Sequence, residues 1–256
     1  MQIRDQWLVL FLFPQLIDNY GYFIKNPHAT EGVLIDPSDY DMCLKILELN
    51  DSVASHVLIT HHHEDHIAAV DKIKKKFDSI VIGYSQDNQI PKPDQTVDEG
   101  QIFEVHGQKY EVIHTPGHTL QHINYFMKDH DILFSGDTLF NAGCGRMFEG
   151  DPKIFWKSLL KIKSLPLDTK IYCGHEYTLS NIKFALSIDP DNKNLLKLAE
   201  WVNYQEDEHR PTIPTTLEQQ ILCNPFLRCD TDYFFNYYNS KNPEEIFAKM
   251  RSAKDN

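Results

Sequence analysis

The chain has 256 residues, of which 41% are hydrophobic, enough for one large domain or two modest ones. Its formal net charge of −12 at pH 7 argues against a general nucleic-acid surface, which needs a basic footprint. The five cysteines are an odd number at a density too low for a disulfide scaffold, which favours a reducing compartment. They include no C-x-x-C pair, so they do not suggest zinc ligation. We therefore expect a cytoplasmic protein with no nucleic-acid partner.

The longest apolar run, Trp7 to Phe13, is too short to span a bilayer, which takes roughly 20 apolar residues. Pro14 and Asp18 follow this run without the small-residue cleavage pattern of a signal peptide. We interpret the run as the first strand of a sheet and expect no membrane association.

Strands and helices alternate over the first two-thirds of the chain. Hydrophobic periodicity predicts helices over 40–49, 67–77 and 152–165, the last with Pro152 near its start. A strand-rich middle extends from 101 to 140. The other apolar runs predict strands over 7–13, 21–24, 32–35, 57–60, 80–84 and 170–173.

The chain changes character after about Tyr177. Periodicity predicts helices over 179–188, 192–208, 217–222 and 243–254. This segment is too small and too poor in strands to continue the sheet. We therefore divide the chain into a first domain, residues 1–176, and a smaller helical domain, residues 177–256.

Four histidines and two acidic residues are crowded into positions 61–66, directly after an apolar strand-like run. The pattern His-x-His-x-Asp-His offers two ligand sets. His61 and His63 can project to the same side of an extended turn, while Asp65 and His66 begin the next element. A tag would be terminal and unbroken, and a helix cap would need only one acidic residue. The segment therefore predicts metal binding.

Further candidate ligands lie on turns after later apolar runs. His118 lies in a Pro-Gly-His turn, Asp137 in a Gly-Asp-Thr turn and His175 in a Gly-His-Glu turn. Because α/β folds assemble their sites from loops at strand ends, we expect these three side chains to join the histidine cluster.

The four motifs together resemble those of the metallo-β-lactamase superfamily. Within it, the chain from Trp7 to Asp255 is similar to glyoxalase II, the hydroxyacylglutathione hydrolases. The resemblance implies an α+β fold, an αββα sandwich of metallo-β-lactamase type followed by a smaller C-terminal helical domain. The first domain would be catalytic and the second would bind substrate. The segments that select this family are 143–146, 173–178, 211–216, 224–226 and 251–255.

The resemblance also implies which side chains bind metal. It arranges seven of them around two divalent ions: His61, His63 and His118 on one, Asp65, His66 and His175 on the other, and Asp137 between both. Three imidazoles suit zinc, and the carboxylate in the second set leaves iron or manganese as alternatives.

The implied activity is hydrolysis of the thioester S-D-lactoylglutathione to D-lactate and glutathione, a step of methylglyoxal detoxification. Two close ions activate water for attack on the thioester carbonyl. The thiolate that leaves has a pKa of about 8.5 and needs no dedicated acid. Asp137 and Asp65 are the implied catalytic carboxylates, and Asp137 is the more sensitive because it serves both ions.

Substrate binding is implied for a separate set of residues. By resemblance Arg146, Arg251 and Lys254 contact the tripeptide, Tyr177 hydrogen-bonds it, and Asn181 is a further candidate. Without the family, Arg251 and Lys254 would be interpreted as the solvated face of a terminal helix. The expected partner is this small-molecule thioester, and the expected oligomeric state is a monomer.

Two other functions stay open. A glutathione persulfide dioxygenase of the same superfamily would bind one iron, so metal counting separates it from a two-metal hydrolase. A non-catalytic glutathione- or metal-binding protein would show no turnover when loaded with metal, although the complete set of ligands argues against it.

Two positions depart from the family pattern. Arg146 stands where Lys is common, which keeps the charge and changes the donor geometry. Phe148 stands where Tyr commonly offers a hydroxyl group, so one hydrogen bond to the substrate is expected to be missing.

We predict that Phe148→Tyr lowers KM for S-D-lactoylglutathione by up to roughly ten-fold, since a hydrogen bond contributes about 0.5–1.5 kcal/mol. Steady-state kinetics of the metal-loaded enzyme measure this change. An unchanged or higher KM would count against the missing hydroxyl.

Overall fold

A computed structural model describes residues 2–4 and 8–256 of the chain. Contacts between Cα atoms separate the chain into two compact units: Met1–His114 with Gln121–His130, and Thr115–Leu120 with Asp131–Asn256. The first unit carries the segment from His61 to His66. The second carries the three later ligand candidates.

Seven strands form one sheet in the first unit, in the order of the sequence. They are β1 Gln2–Arg4, β2 Val9–Gln15, β3 Asn19–Lys25, β4 Glu31–Ile35, β5 Val53–Leu58, β6 Ile80–Tyr84 and β7 Gln95–Val97. Pairing is antiparallel from β1 to β4 and parallel from β4 to β7. Because β4 and β5 run parallel, the residues that follow them leave the same edge of the sheet.

Helices cover this sheet. They are α1 Tyr40–Leu49, α2 Glu64–Ile67 and α3 Val70–Phe77. The Asp39 side chain caps α1 by accepting a hydrogen bond from the Met42 backbone N–H at 3.1 Å. Leu47 of α1 and Ile73 of α3 are fully buried in one core with Phe23 of β3.

An antiparallel meander completes the first unit. Its strands are β8 Ile102–Val105, β9 Gln108–His114 and β10 Ile123–Met127. The buried Tyr125 hydroxyl of β10 donates a hydrogen bond to the Ile59 carbonyl oxygen at 2.8 Å. The segment that follows β5 is thereby held just before the histidine cluster.

The second unit has a short sheet and a set of helices. Strand β11 Ile132–Gly136 pairs parallel with β14 Lys170–Cys173. Strand β14 also pairs antiparallel with β15 Thr215–Thr216. Strands β12 Leu139–Phe140 and β13 Gly143–Cys144 pair with each other. The helices are α4 Pro152–Lys163, α5 Thr178–Ile188, α6 Lys193–Asp207, α7 Leu217–Cys223, α8 Asp232–Tyr238 and α9 Pro243–Asp255.

Most predicted elements are confirmed within a few residues at each end. The helix predicted over 40–49 has the observed bounds of α1, and the helices predicted beyond position 177 correspond to α5, α6, α7 and α9. The strand predicted over 7–13 is observed as Val9–Gln15, and Trp7 lies outside the described residues. Helix α8 was not predicted, because its aromatic sequence buries only Phe234 and lacks an amphipathic pattern.

The single helix predicted over 67–77 is wrong, because the chain forms α2 and α3 with a break at Ala68 and Ala69. The hydrogen bond that would join them is replaced by tertiary contacts. The Ala69 N–H donates to the Pro37 carbonyl at 3.1 Å, and the Asp65 carbonyl accepts from the Asn19 side chain at 3.0 Å.

Within residues 2–4 and 8–256, the helices are all too short or too polar to cross a membrane.

The residues around β12 and β13 are held by side chains of α7 and the turn after it. Asn224 Nδ2 donates to the Gly143 carbonyl at 2.9 Å, and its Oδ1 accepts from the Phe226 N–H at 3.0 Å. Gln220 Oε1 accepts from the Ala142 N–H at 2.8 Å. These groups are buried, so each hydrogen bond replaces water that cannot enter.

We predict that Asn224→Ala lowers the free energy of unfolding by about 1–3 kcal/mol, because buried backbone groups lose their partner. Urea unfolding of the metal-loaded protein measures the change. Asn236→Ala, at an exposed position of α8, is the matched control and should cost less than about 0.5 kcal/mol. Equal effects of the two substitutions would contradict the assignment.

Candidate metal centre

The histidine cluster brings donor atoms to the spacing of metal ligands. His61 Nε2 lies 3.1 Å from His63 Nδ1. Two ligands of one tetrahedral ion, with bonds of ~2.0–2.1 Å, are separated by about 3.3–3.4 Å. The two imidazoles therefore fit a shared ion with a shift of a few tenths of an ångström.

One buried carboxylate determines which nitrogen two of these histidines present. Asp36 Oδ2 accepts a hydrogen bond from His66 Nδ1 at 3.0 Å and from the Thr60 hydroxyl at 2.7 Å. The Thr60 hydroxyl donates its only proton to Asp36. It can therefore only accept a hydrogen bond from His61 Nδ1, which lies 3.0 Å away. His61 and His66 are thereby left with their Nε2 lone pairs available to an ion.

The hairpin between β2 and β3 holds this region from both of its ends. Gln15 Nε2 donates to the Asp36 carbonyl at 2.9 Å, while Gln15 Oε1 accepts from the Ser38 N–H. Asn19 Nδ2 donates to Asp65 Oδ2 at 3.0 Å. Asp65 Oδ2 in turn lies 3.9 Å from His66 Nε2. The predicted ligands Asp65 and His66 therefore also have their donor atoms close together.

Neighbouring histidines have other partners. The His62 ring nitrogen Nδ1 lies 3.1 Å from the buried Asp87 carboxylate, as expected for a residue outside the ligand motif. His122 is buried and stacks on the His61 ring with centroids 4.7 Å apart. His114 stacks on Tyr84 at 4.7 Å.

The second unit brings two imidazole nitrogens close to one carboxylate oxygen. Asp137 follows β11 and His175 follows β14, and these parallel strands end at the same edge of their sheet. Asp137 Oδ2 lies 3.4 Å from His118 Nε2 and 3.3 Å from His175 Nε2. Both distances match the ligand spacing of a tetrahedral ion, about 3.3–3.4 Å.

The tautomer of His118 is fixed by the backbone. Its Nδ1 lies 2.9 Å from the Arg146 carbonyl oxygen, which can only accept, so Nδ1 carries the proton and Nε2 faces Asp137. Gly145 makes this approach possible, because a Cβ there would lie 2.1 Å from the Asp137 carbonyl oxygen and 2.9 Å from His118 Nδ1.

Two aromatic side chains predicted to lie near the substrate contact the histidines of this unit. The Tyr177 ring stacks on His175 with centroids 4.6 Å apart and nearly parallel planes. Phe148 packs edge-on against His118 at 5.3 Å and is 62% exposed.

Arg251 is 2% exposed. It therefore does not lie on a solvated face of the terminal helix. Its Nη1 donates to the Cys144 carbonyl at 2.9 Å and contacts the Gly145 carbonyl at 3.5 Å. Its guanidinium lies over the Phe226 ring, 5.0 Å from the centroid. Arg251 therefore fixes the backbone that leads to Arg146.

Lys254 is mostly buried and donates a hydrogen bond to Asn181 Oδ1. Burial and the neighbouring Arg251 charge lower the pKa of Lys254 from 10.5 to about 8. The Asn181 amide donates to the Asn141 carbonyl at 2.9 Å, so its orientation is fixed.

The cysteines near the candidate ligands are buried. Burial raises the pKa of the Cys173 thiol to about 12 and also raises the pKa of Cys144. Neither thiol has the low pKa of a reactive cysteine.

Sequence reasoning missed Asp36, Asn19 and Asp87. The signal for Asp36 was present, since it follows an apolar strand just as Asp137 does. Its neighbours lack a histidine, and nothing in the order of the residues shows that β4 lies beside β5. Asn19 is the first residue of β3 and Asp87 lies in the loop after β6. Both contact the cluster from distant parts of the sequence and carry no motif.

The His-x-His-x-Asp-His segment and the fold define a protein of the metallo-β-lactamase class. The sequence model described as "Metallo-beta-lactamase superfamily" matches residues 19–175, and that described as "Hydroxyacylglutathione hydrolase C-terminus" matches residues 176–256. The "Hydroxyacylglutathione hydrolase" of Rhodopseudomonas palustris (strain HaA2) is 40% identical over 248 residues, which are 96% of this chain and 97% of that protein. The chain belongs to the hydroxyacylglutathione hydrolase family.

Solved structures share this fold. The crystal structure of ETHE1 from Myxococcus xanthus has a TM-score of 0.65 and 23% identity, covering 98% of this chain and 89% of its own. That of TTHA1623 in a di-iron-bound form has a TM-score of 0.54 and 28% identity, covering 61% of this chain and 87% of its own. The predicted fold class is confirmed. This fold implies divalent metal ions, and the described residues include histidine–aspartate groups that could hold them.

We predict that Asp36→Asn lowers metal affinity by roughly 10–100-fold. The single amide oxygen cannot replace both carboxylate oxygens, of which Oδ1 accepts from the Thr60 N–H and Oδ2 accepts from the Thr60 hydroxyl and His66. Competition with a chromogenic chelator measures the affinity. Asp41→Asn removes the same charge from an exposed position of α1 and should leave the affinity unchanged. Equal affinities of the two variants would refute the orienting role of Asp36.

Proposed function

We propose that the chain hydrolyses S-D-lactoylglutathione to D-lactate and glutathione with two divalent metal ions. The observation that carries this proposal is the position of Asp137 Oδ2, 3.4 Å from His118 Nε2 and 3.3 Å from His175 Nε2. One carboxylate oxygen flanked in this way by two imidazoles suits a ligand shared by two ions. Membership of the hydroxyacylglutathione hydrolase family supports the substrate.

The proposed ligand sets are those that the family motifs imply. His61, His63 and His118 would hold one ion, Asp65, His66 and His175 would hold the other, and Asp137 would serve both.

When bound, two such ions would lower the pKa of a water molecule between them toward ~7 and polarise the substrate carbonyl. The chain would fix the donors before the substrate arrives. Asp36 orients His66 directly and His61 through Thr60, and the Arg146 carbonyl orients His118. The glutathione thiolate, with a pKa of about 8.5, departs without a proton from the protein.

Binding the carboxylates of glutathione requires positively charged side chains on an otherwise acidic chain. Arg146, whose side chain is 63% exposed, and Lys254 are the proposed direct contacts, with Tyr177 as a hydrogen-bond donor. Arg251 and Asn181 are proposed to act mainly through them. The support is that Arg251 holds the backbone before Arg146 and that Asn181 accepts from Lys254.

Zinc is the proposed metal, because a site of three imidazoles suits a borderline ion. The carboxylate of Asp65 makes the second site harder, which favours iron or manganese there. The di-iron-bound form of TTHA1623 supports iron as the alternative.

The remaining assignments extend this proposal. A boundary between a catalytic domain, 1–176, and a substrate-binding domain, 177–256, is supported by two family models that meet between residues 175 and 176. A cytoplasmic location is supported by five buried cysteines that form no disulfide in the described chain. The proposed oligomeric state is a monomer.

The test is turnover of S-D-lactoylglutathione by purified protein whose metal content is quantified. We predict activity near two metals per chain. In Asp137→Ala, activity and metal affinity should fall by more than the roughly 10–100-fold that loss of an outer-shell partner costs, because both ions lose a ligand.

Asp168→Ala, at an exposed loop position, is the matched control and should keep full activity and metal content. Absence of thioester hydrolysis at full metal loading would refute the proposal. Oxygen consumption with glutathione persulfide at one iron per chain would then identify the dioxygenase instead.

A further inference from the structure

One acidic side chain lies between the two arginines of the substrate-binding residues. Asp255 Oδ1 is 3.3 Å from Arg146 Nε and 3.0 Å from Arg251 Nη2. The same carboxylate oxygen therefore serves both guanidinium groups. The Asp255 side chain is 34% exposed, so water and solutes can reach it.

The two arginines differ in what they can offer a ligand. The Arg251 side chain is 3% exposed and is held by the Cys144 carbonyl and the Phe226 ring. The Arg146 side chain is 63% exposed, and its only ion pair among the described residues is with Asp255. Arg146 can therefore change partner while Arg251 keeps Asp255 in place.

Lys254 belongs to the same group of charges. Burial is the main cause of the lowered pKa of Lys254; Arg251 and Arg146 lower this pKa further, whereas Cys144 and Asp255 raise it. The α5 side chains that contact it, Asn181 and Phe184, are uncharged. Asp255 is thus the acidic group within a cationic cluster that consists of Arg146, Arg251 and Lys254.

We propose that Asp255 is a specificity-determining residue whose carboxylate occupies Arg146 until a carboxylate of the ligand displaces it. This inference rests on the proposed function, because the ligand it concerns is a glutathione conjugate. An exposed ion pair contributes little stability, so a ligand carboxylate can replace it. The contact re-forms as glutathione leaves, which weakens the hold of the enzyme on its product.

The competition predicts that removal of the Asp255 charge tightens the binding of anionic ligands. Asp255→Asn should bind S-methylglutathione about two- to five-fold more tightly than the parent protein, as loss of a competing exposed ion pair allows. Calorimetry of the metal-loaded protein at low ionic strength measures the affinity. The measurement is made at pH 6.5, which lies below the Lys254 pKa of about 8 in the parent protein.

Two controls separate this effect from a general change of charge or structure. Glu245→Gln removes a carboxylate from the same helix, where Glu245 pairs with Lys249 at 2.6 Å, and should leave the affinity unchanged. The diethyl ester of S-methylglutathione lacks both carboxylates, and Asp255→Asn should not bind it more tightly. In an Arg146→Gln background, Asp255→Asn should give no further gain.

Unchanged or weaker binding by Asp255→Asn would overturn the inference, and weaker binding with a lower Tm would assign Asp255 to the stability of α9. An equal gain for the ester, or a gain that persists without Arg146, would also overturn it. Since binding is measured without turnover, failure of thioester hydrolysis bears on the proposed function alone.

Discussion

The arrangement of histidines depends on one constraint: an imidazole presents a lone pair to an ion only if its other nitrogen gives its proton to a partner. Asp36 satisfies this for His66 directly and for His61 through the Thr60 hydroxyl. One buried carboxylate thus prepares a histidine from each proposed ligand set. Its position follows from the parallel pairing of β4 and β5, which brings residue 36 beside the segment that follows Leu58.

The second unit meets the same constraint with a backbone carbonyl. Arg146 supplies the carbonyl oxygen that orients His118, and its own backbone is held in turn by side chains from the C-terminal helices. Asn224 fixes Gly143, and Arg251 fixes Cys144 and Gly145. The C-terminal helices therefore contribute to the geometry around His118, since Asn224 and Arg251 hold the stretch of backbone that leads to the Arg146 carbonyl.

The fold could be predicted where hydrophobic periodicity is regular, as in α1 and α6. The prediction failed at the break between α2 and α3. There the Asn19 side chain donates a hydrogen bond to the Asp65 carbonyl, and the Pro37 carbonyl accepts one from the Ala69 N–H. These partners lie far away in sequence and leave no local signal. The same contacts position Asp65, a candidate ligand that lies in α2 just before the helix predicted over 67–77.

The sequence by itself determined the family, the fold class and the identity of the candidate ligands, because donor residues at fixed spacing need no knowledge of distant contacts. Only the tertiary structure decided how these donors are held and which cations are accessible. It buried Arg251 against the Cys144 carbonyl and left Arg146 exposed beside Asp255. Helical periodicity cannot distinguish these roles, because burial and ion pairing arise from elements that meet only after the chain has folded.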